Sequence, residues 1–126
     1  MKKSISKLCL FIFVALLFTA CHKDKETTTI DASLLPGCWQ KYNSTEFWRY
    51  DSDGSGETWV EDDDVHEGEG TNFTWTVVNN SQLRVTLVGE MGQEVPRDYT
   101  ITLLSSTSLY LLENFYDTVY TFSRAR

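Results

Sequence analysis

The sequence predicts an all-β fold, an eight-stranded antiparallel up-and-down barrel. From residue 36 onward, apolar and polar residues alternate with the period of two that is typical of strands. Turn residues interrupt this alternation at short intervals, and no stretch keeps a helical period. Short connections favour antiparallel neighbours, because a parallel crossover needs about a dozen residues. Eight such strands leave two exposed edges unless the sheet closes, so a barrel is expected.

The predicted strands are separated by segments rich in Asn, Asp, Gly and Ser. The strands are expected at residues 38–42, 45–50, 56–61, 71–78, 82–88, 95–103, 108–113 and 118–124. The strongest turn signals are Asn43-Ser44, Asp51-Ser52-Asp53-Gly54 and Asn79-Asn80-Ser81, where Asn, Asp and Gly tolerate the backbone angles of tight turns.

The alternation assigns one face of each strand to the barrel interior. The predicted interior positions are mostly aromatic or branched aliphatic: Trp39, Trp48, Tyr50, Phe73, Trp75, Val77, Leu83, Val85, Leu87, Tyr99, Ile101, Leu103, Leu109, Leu111, Tyr120 and Phe122. The opposite positions are mostly Thr, which suits a solvent-facing strand because it is β-branched yet polar. The third strand is ambiguous, since either Thr58 and Val60 or Trp59 points inward.

The N-terminus has the features of a secretion signal in their usual order. A start rich in Lys is followed by an apolar run over residues 8–18, then by Thr19-Ala20 and Cys21. The apolar run is too short to span a bilayer. Small residues directly before Cys21 resemble the bacterial lipobox, which implies cleavage after Ala20 and a lipid on Cys21. The alternative is an ordinary cleavable signal in which Cys21 is incidental.

Three regions are therefore expected along the chain. Residues 1–20 are predicted to be a signal peptide, and residues 21–33 the lipidated Cys21 with a flexible, polar tether. Residues 34–126 are predicted to form the barrel domain. The expected location is the cell envelope, as an outer-membrane lipoprotein that faces the periplasm or the surface.

Charge and cysteine content narrow the expected partners. All 18 acidic residues but only 8 of the 11 basic residues follow residue 20, which gives this part a net charge of −10. An acidic surface disfavours nucleic acid and anionic lipid as partners, so membrane attachment is expected through the lipid alone.

With Cys21 acylated, Cys38 is the one thiol left and no internal disulfide is expected. We expect a monomer held together by its core.

Three motifs fall along the predicted barrel. Gly37-Cys38-Trp39 opens it, Phe73-x-Trp75 precedes Asn79-Asn80, and Tyr120-x-Phe122-x-Arg124 ends it. Together they resemble the lipocalin-like (calycin) barrels over residues 34–126, most closely the short lipocalin-like lipoproteins of Gram-negative bacteria.

The resemblance implies a structural closure formed by Gly37, Trp39 and Arg124. In that family the Trp of the first strand plugs one end of the barrel and the late Arg packs across it. A guanidinium over an indole face contributes about 0.5–2 kcal/mol and would tie the first strand to the last. Arg126 is a rival for the role of Arg124.

The same resemblance implies non-enzymatic binding of a small apolar ligand at the barrel mouth, without a cofactor. The residues expected to line the ligand or the core are Trp48, Tyr50, Phe73, Trp75, Tyr99, Tyr120 and Phe122. Short strands and many interior aromatics favour a different class, a protein-interaction or inhibitor module with a side-chain-filled barrel. An enclosed apolar cavity of several hundred Å³ would favour ligand carriage. An interior filled by Trp48, Trp75, Tyr99 and Tyr120 would favour surface recognition instead.

Two acidic segments invite a comparison with metal sites. The Asp51-Ser52-Asp53-Gly54 segment resembles the start of a calcium loop, but its spacing fits a tight hairpin turn better. Residues 61–70 hold six carboxylates and one His, and clustered acids of this kind usually form a solvated loop. We therefore predict no metal site; the candidate ligands, if a cation binds, are Asp62, Asp63, Asp64, His66 and Glu67.

Catalysis has little support in the sequence. His22 lies on the predicted tether and His66 lies in the acidic segment, so neither is placed as a base inside the barrel. No Ser stands in a Gly-x-Ser-x-Gly turn, and no Cys/His cluster has zinc-binding spacing. We expect no enzymatic activity.

Overall fold

The computed structural model describes residues 30–126, which form a closed barrel of eight antiparallel strands. The strands are β1 (Gly37–Lys41), β2 (Glu46–Tyr50), β3 (Ser55–Val60), β4 (Thr71–Val78), β5 (Gln82–Val88), β6 (Glu94–Leu104), β7 (Ser108–Glu113) and β8 (Thr118–Arg124). Short 3₁₀ turns cover Ala32–Leu34 and Glu61–Asp63. Each strand pairs with its neighbour in sequence, and β8 pairs with β1. The predicted fold class is confirmed, whereas the predicted signal peptide and Cys21 lie outside the described residues.

The succession of antiparallel strands gives the barrel two different ends. The connections 42–45, 61–70, 89–93 and 114–117 lie at one end, which we call the open end. The connections 51–54, 79–81 and 105–107 lie at the other, which we call the closed end, together with the segment that enters β1. Asn79 and Asn80 both have positive φ (54° and 62°), as a type I′ hairpin turn requires.

Side chains fill the half of the barrel next to the closed end. The fully buried ones are Leu35, Trp39, Tyr50, Phe73, Leu83, Val85 and Leu109. Phe73 lies 5.3 Å, between ring centroids, from both Trp48 and Tyr50. Gly56 permits this packing, because a Cβ there would occupy the space of the Phe73 ring. The closed half is therefore a packed hydrophobic core, not a channel.

Arg124 holds the closed end together. Its guanidinium lies 4.3 Å from the centroid of the Trp39 ring, and the two residues are opposite each other in the β1–β8 pair. The same guanidinium donates hydrogen bonds to the carbonyl oxygens of Leu34, Pro36 and Ser106. This is the packing that the resemblance implies, and Arg126 instead pairs with Glu67 on the outer surface.

Two further contacts complete the closed end. The Trp39 indole N–H donates to the Leu35 carbonyl oxygen at 2.8 Å, so the chain before β1 folds over the plug. Gly37 has φ +139°, and a Cβ on it would collide with the Arg124 guanidinium. A side chain at position 37 would therefore displace the residue that closes the barrel.

The predicted tether and the barrel overlap by a few residues. Asp31 caps the Ala32–Leu34 turn by accepting from the Ser33 backbone N–H, and Ile30 packs against the core. Ile30, which the sequence places in the tether, thus already contacts the barrel, and the 3₁₀ turn follows it directly.

One predicted interior position is wrong and one ambiguity is resolved. The register between β6 and β7 shifts between Ile101 and Leu103, so that Leu104 packs on the core and Leu103 is exposed. Such a bulge moves every later side chain of a strand to the other face.

On β3 the register places Thr58 opposite the inward-facing Trp48, so Thr58 and Val60 face the interior. Trp59 lies on the outer side, where its ring stacks on Phe47 with the centroids 5.5 Å apart. Trp59 is nevertheless 5% exposed, because the 61–70 connection covers it.

The closure predicts unequal effects for three substitutions. Trp39→Ala should lower the free energy of unfolding by about 3–5 kcal/mol, because it empties the plug. Arg124→Ala should lower it by about 1.5–3 kcal/mol, since the ring contact and three hydrogen bonds from a charged donor are lost. Arg126→Ala, the matched control, removes a surface ion pair and should change it by about 0–1 kcal/mol. Urea unfolding monitored by circular dichroism checks this, and equal effects of the two Arg substitutions would contradict the assigned pairing.

Burial of Tyr50 predicts a loss of stability in alkali. Burial, with a smaller contribution from Tyr99, raises the pKa of the Tyr50 hydroxyl above its ordinary 10.0. Below pH 10 both the folded and the unfolded chain hold this proton, so the stability is fully present. Above pH 10 the unfolded chain alone ionises, so the free energy of unfolding falls with rising pH.

Tyr50→Phe should therefore flatten this decline in urea midpoints between pH 10 and about pH 11.5. Tyr116→Phe, on the exposed 114–117 connection, is the control and should keep the wild-type slope. A Tyr50→Phe protein with the wild-type slope would show that Tyr50 is not shielded from solvent.

Candidate functional site

A cavity of about 850 Å³ opens at the open end of the barrel. Its deeper walls come from Tyr50, Tyr99, Leu111 and Phe122, which face inward on four different strands. Nearer the mouth it is lined by Trp48, Thr58, Leu87, Lys41, Glu46, Arg97 and Tyr120. The size falls in the range of small-molecule sites, and the lining combines an apolar floor with a polar upper wall.

The floor of the cavity is aromatic. Tyr99 and Tyr120 meet edge to face with their ring centroids 6.4 Å apart. Tyr50 meets Trp75 in the same manner at 5.8 Å. Burial is also the main cause that raises the pKa of Tyr99. These edge-to-face contacts fix the rings that form the apolar bottom of the cavity.

A chain of polar contacts follows the upper wall across neighbouring strands. The Trp48 indole N–H donates to Glu46 Oε2 at 2.8 Å, and Lys41 Nζ lies 3.9 Å from the same oxygen. Lys41 Nζ also lies 4.8 Å from the centroid of the Tyr120 ring.

The Tyr120 hydroxyl continues this chain by donating to Glu113 Oε2 at 3.2 Å. Burial, followed by this hydrogen bond, raises the pKa of Tyr120. Glu113 itself is buried, so its carboxylate depends on this hydroxyl and on the surrounding charges. The contacts hold the aromatic groups of the mouth in fixed positions.

Arg97 places a second cation in the cavity. It lies on β6 in phase with Tyr99 and opposite Val85 of β5, both of which face inward. Its charge partly offsets the effect of burial on the pKa of Tyr99. Within residues 30–126, Arg97 makes no ion pair. Its guanidinium is therefore available to an anionic or hydrogen-bond-accepting group of a ligand.

The predicted lining residues separate into two groups. Trp48, Tyr50, Tyr99, Tyr120 and Phe122 line the cavity. Phe73 lies below them in the packed core. Trp75 donates its indole N–H to the carbonyl oxygens of Asp51 and Ser55 at the closed end, each at 3.0 Å.

The charged residues of the interior were missed from the sequence. Lys41, Arg97 and Glu113 lie in phase with Trp39, Tyr99 and Leu111, so the alternation itself places them inside. A search for apolar interior positions passes over them. They could have been identified by looking for charged residues that fall on the interior side of the alternation near the open end of each strand.

Residues 61–70, which we call the acidic connection, are fastened to the barrel by the buried carboxylate of Glu57. Glu57 on the outer face of β3 is 3% exposed. It accepts from the backbone N–H groups of Gly68 and Gly70 at 2.8–3.1 Å, and from Arg49 Nη1 at 3.2 Å. Glu67 adds ion pairs with Arg49 and Arg126. These contacts fasten residues 67–70 to the barrel, while residues 61–64 and 66–69 remain exposed to solvent, as the sequence predicts.

The candidate metal ligands of residues 61–70 are not brought together into one group. In the described part of the chain, no three His, Cys, Asp or Glu side chains form a group that could hold a metal ion. His66 Nε2 lies 3.6 Å from Asp64 Oδ1. The Glu67 carboxylate instead forms ion pairs with Arg49 and Arg126.

The Asp51–Gly54 segment forms the hairpin turn that its spacing favours. Asp53 Oδ1 accepts from the backbone N–H of Ser55 at 3.0 Å, and the Asp51 carboxylate accepts from Arg49 Nε at 3.0 Å. Both carboxylates thus have partners from this chain. Their role in the turn is to order the backbone between β2 and β3.

No family model, curated protein or solved structure matches this chain. Between residues 30 and 126, no helix is both long enough and apolar enough to cross a membrane. The chemistry of the cavity must therefore be inferred from the residues that line it.

The contacts of Glu57 predict which substitution would detach the acidic connection from the barrel. Glu57→Gln removes the charge that Arg49 and two backbone N–H groups share, and a charged hydrogen bond contributes about 1.5–3 kcal/mol. Hydrogen exchange at the Gly68 and Gly70 amides should become at least about tenfold faster, with the β5–β6 amides unchanged. Glu61→Gln, on the exposed side of the same connection, should leave all of these rates unchanged. Unaltered exchange in Glu57→Gln would show that the connection is held by other contacts.

Proposed function

We propose that this protein is a lipid-anchored, lipocalin-like binding protein of the cell envelope that holds a small molecule in the mouth of its barrel. The observation that carries the proposal is the cavity of about 850 Å³ at the open end. Its aromatic floor and polar upper wall are the combination found in small-molecule sites, where apolar groups give affinity and a few polar groups fix orientation.

The lining favours a largely apolar ligand with one polar or anionic end. Tyr50, Tyr99 and Phe122 offer faces and edges for stacking at the bottom of the cavity. Arg97 and Lys41 offer positive charge higher up, and Lys41 is already shared with Glu46. We infer that the apolar part points toward the closed end and that the polar end meets Arg97.

The position of the N-terminal segment supports an anchored carrier. The described chain starts at Ile30 and enters the barrel at the closed end, where Leu34 and Pro36 contact Arg124. A lipid on Cys21 would therefore attach the barrel by the end opposite to its mouth. In this arrangement the mouth faces away from the membrane, and ligands enter from the aqueous side.

The filled-barrel alternative has weaker support. Packed side chains occupy the closed half, but the open half retains the cavity. The proposal includes no chemical step.

A cavity-filling substitution tests the proposal. The probe is anilinonaphthalene sulfonate, a fluorescent molecule with an apolar aromatic body and one anionic group. The wild-type protein should bind about one equivalent saturably, as measured by fluorescence titration. Thr58→Phe places a ring in the cavity and should weaken binding at least about tenfold, a change of about 1.4 kcal/mol. Arg97→Met should weaken it by removing the cation.

The matched control is Thr76→Phe, the same change on the outer face of β4, where Thr76 is opposite Arg84. It should bind the probe as the wild-type protein does. Equal affinities of Thr58→Phe and Thr76→Phe would contradict the assigned cavity. If the cavity is the binding site, mass spectrometry of organic extracts of the native protein should identify a copurified molecule that the Thr58→Phe protein lacks.

A further inference from the structure

Large apolar side chains are exposed on the connections of the open end. Tyr42 is 78% exposed, Phe115 84% and Tyr116 71%. Tyr42 follows β1, and Phe115 and Tyr116 lie in the connection between β7 and β8. We call these three residues the aromatic rim. Large aromatic groups at this exposure are unusual for a surface that contacts water alone.

The residues of the aromatic rim lie next to two strands that pair with each other. The strand β8 pairs with β1, and the Tyr42 backbone N–H donates to the Thr121 carbonyl oxygen at 2.8 Å. Phe115 and Tyr116 meet edge to face with their ring centroids 4.7 Å apart. Val119, on the outer face of β8, is also exposed. These side chains therefore occupy one side of the open end.

The acidic connection borders the aromatic rim. The backbone N–H groups of Glu61 and Asp62 donate to the backbone oxygen and the hydroxyl of Thr45, each at 3.1 Å. A surface groove of about 440 Å³ runs along this border and is lined by Gln40, Lys41, Tyr42, Asn43, Ser44, Thr45, Asp62 and Ser123. One groove thus combines an exposed aromatic ring with a carboxylate.

The open end carries charge of a single sign on its connections, whereas Lys41 and Arg97 lie on the strands and line the cavity. The four connections of the open end contain eight Asp and Glu residues and no Lys or Arg. Glu67 is paired with arginines, but Asp62 and Asp63 make no ion pair within residues 30–126. A partner must therefore be cationic where it meets the carboxylates and apolar where it meets the rings.

We propose that the aromatic rim and the acidic connection form a docking surface for a polypeptide segment in which Lys or Arg residues alternate with aromatic or aliphatic ones. Its cations pair with Asp62 and Asp63 and stack on the ring of Tyr42. Its apolar side chains cover Phe115 and Tyr116. A second copy of this chain is disfavoured because it would bring two acidic rims together, and an anionic bilayer is disfavoured for the same reason.

This inference goes beyond the proposed ligand cavity and does not depend on it. None of the three rim residues lines the cavity, whereas Asp63 of the acidic connection lines it as well. Phe115→Ser/Tyr116→Ser changes the rim alone, and Thr58→Phe and Arg97→Met change the cavity alone, so peptide docking and probe binding can fail separately.

The test uses the full chain in phosphatidylcholine nanodiscs and a fluorescein-labelled twelve-residue peptide of alternating Lys and Trp or Leu, with empty nanodiscs as the reference. Fluorescence anisotropy should show saturable binding. Phe115→Ser/Tyr116→Ser and Asp62→Asn/Asp63→Asn should each weaken it at least about tenfold. Tyr110→Ser, which removes a partly exposed Tyr from the outer face of β7 nearer the closed end, is the matched control and should bind as the wild type does.

Several results would overturn the docking surface. A peptide with Glu in place of each Lys that binds equally well would show that charge does not select the partner. Unchanged affinity in both double variants would show that the peptide binds elsewhere. Rim-dependent binding to free phosphatidylcholine vesicles instead of the peptide would assign the rim to a membrane. A dimer in analytical ultracentrifugation that Phe115→Ser/Tyr116→Ser abolishes would assign it to a second copy.

Discussion

The β1–β8 pair is the constraint on which the rest of this barrel depends. Residues 30–126 contain a single free cysteine and form no disulfide, so closure depends on packing and hydrogen bonds alone. Arg124 supplies both, since its guanidinium covers the Trp39 ring and bonds three carbonyl oxygens around it. Without the β1–β8 pairing the first and last strands would have exposed edges, which are sites of unwanted pairing. Trp39 and Arg124 also hold the short segment before β1. The two side chains therefore close the barrel and fix the end at which the chain enters it.

Closing one end by side chains divides the interior into two halves with different chemistry. Aromatic and aliphatic groups fill the closed half, and the ring of Tyr50 lies where the packing ends and the cavity begins. Above it the wall carries Lys41, Glu46 and Arg97, charges that the closed half could not solvate. The outer surface of the open end is different again, with aromatic rings next to unpaired carboxylates. A small ligand inside would thus meet the rings and cations of the cavity, and a cationic peptide would meet the rings of the rim, with Asp63 bordering both.

Most of the fold could be predicted because strands and tight turns are local. The period of two gave all eight strands, and Asn79-Asn80 marked a turn because Asn tolerates positive φ. The bulge that exposes Leu103 could not be predicted, since it depends on how β6 and β7 fit together. The fastening of the acidic connection by Glu57 was also hidden, because its partners are backbone groups eleven and thirteen residues away. For the site, the aromatic floor was predicted, whereas Arg97 and Lys41 were overlooked among apolar neighbours.

Side chains fill one half of the barrel, and we propose that the other half accepts a ligand. The indole N–H groups of three Trp residues report on this directly by nuclear magnetic resonance. Those of Trp39 and Trp75 bond to backbone carbonyls at the closed end, and that of Trp48 bonds to Glu46 at the mouth. During titration with anilinonaphthalene sulfonate, the Trp48 signal should shift saturably while the Trp39 and Trp75 signals stay in place. A shift of the Trp39 signal, or no shift of the Trp48 signal at saturation, would contradict this account.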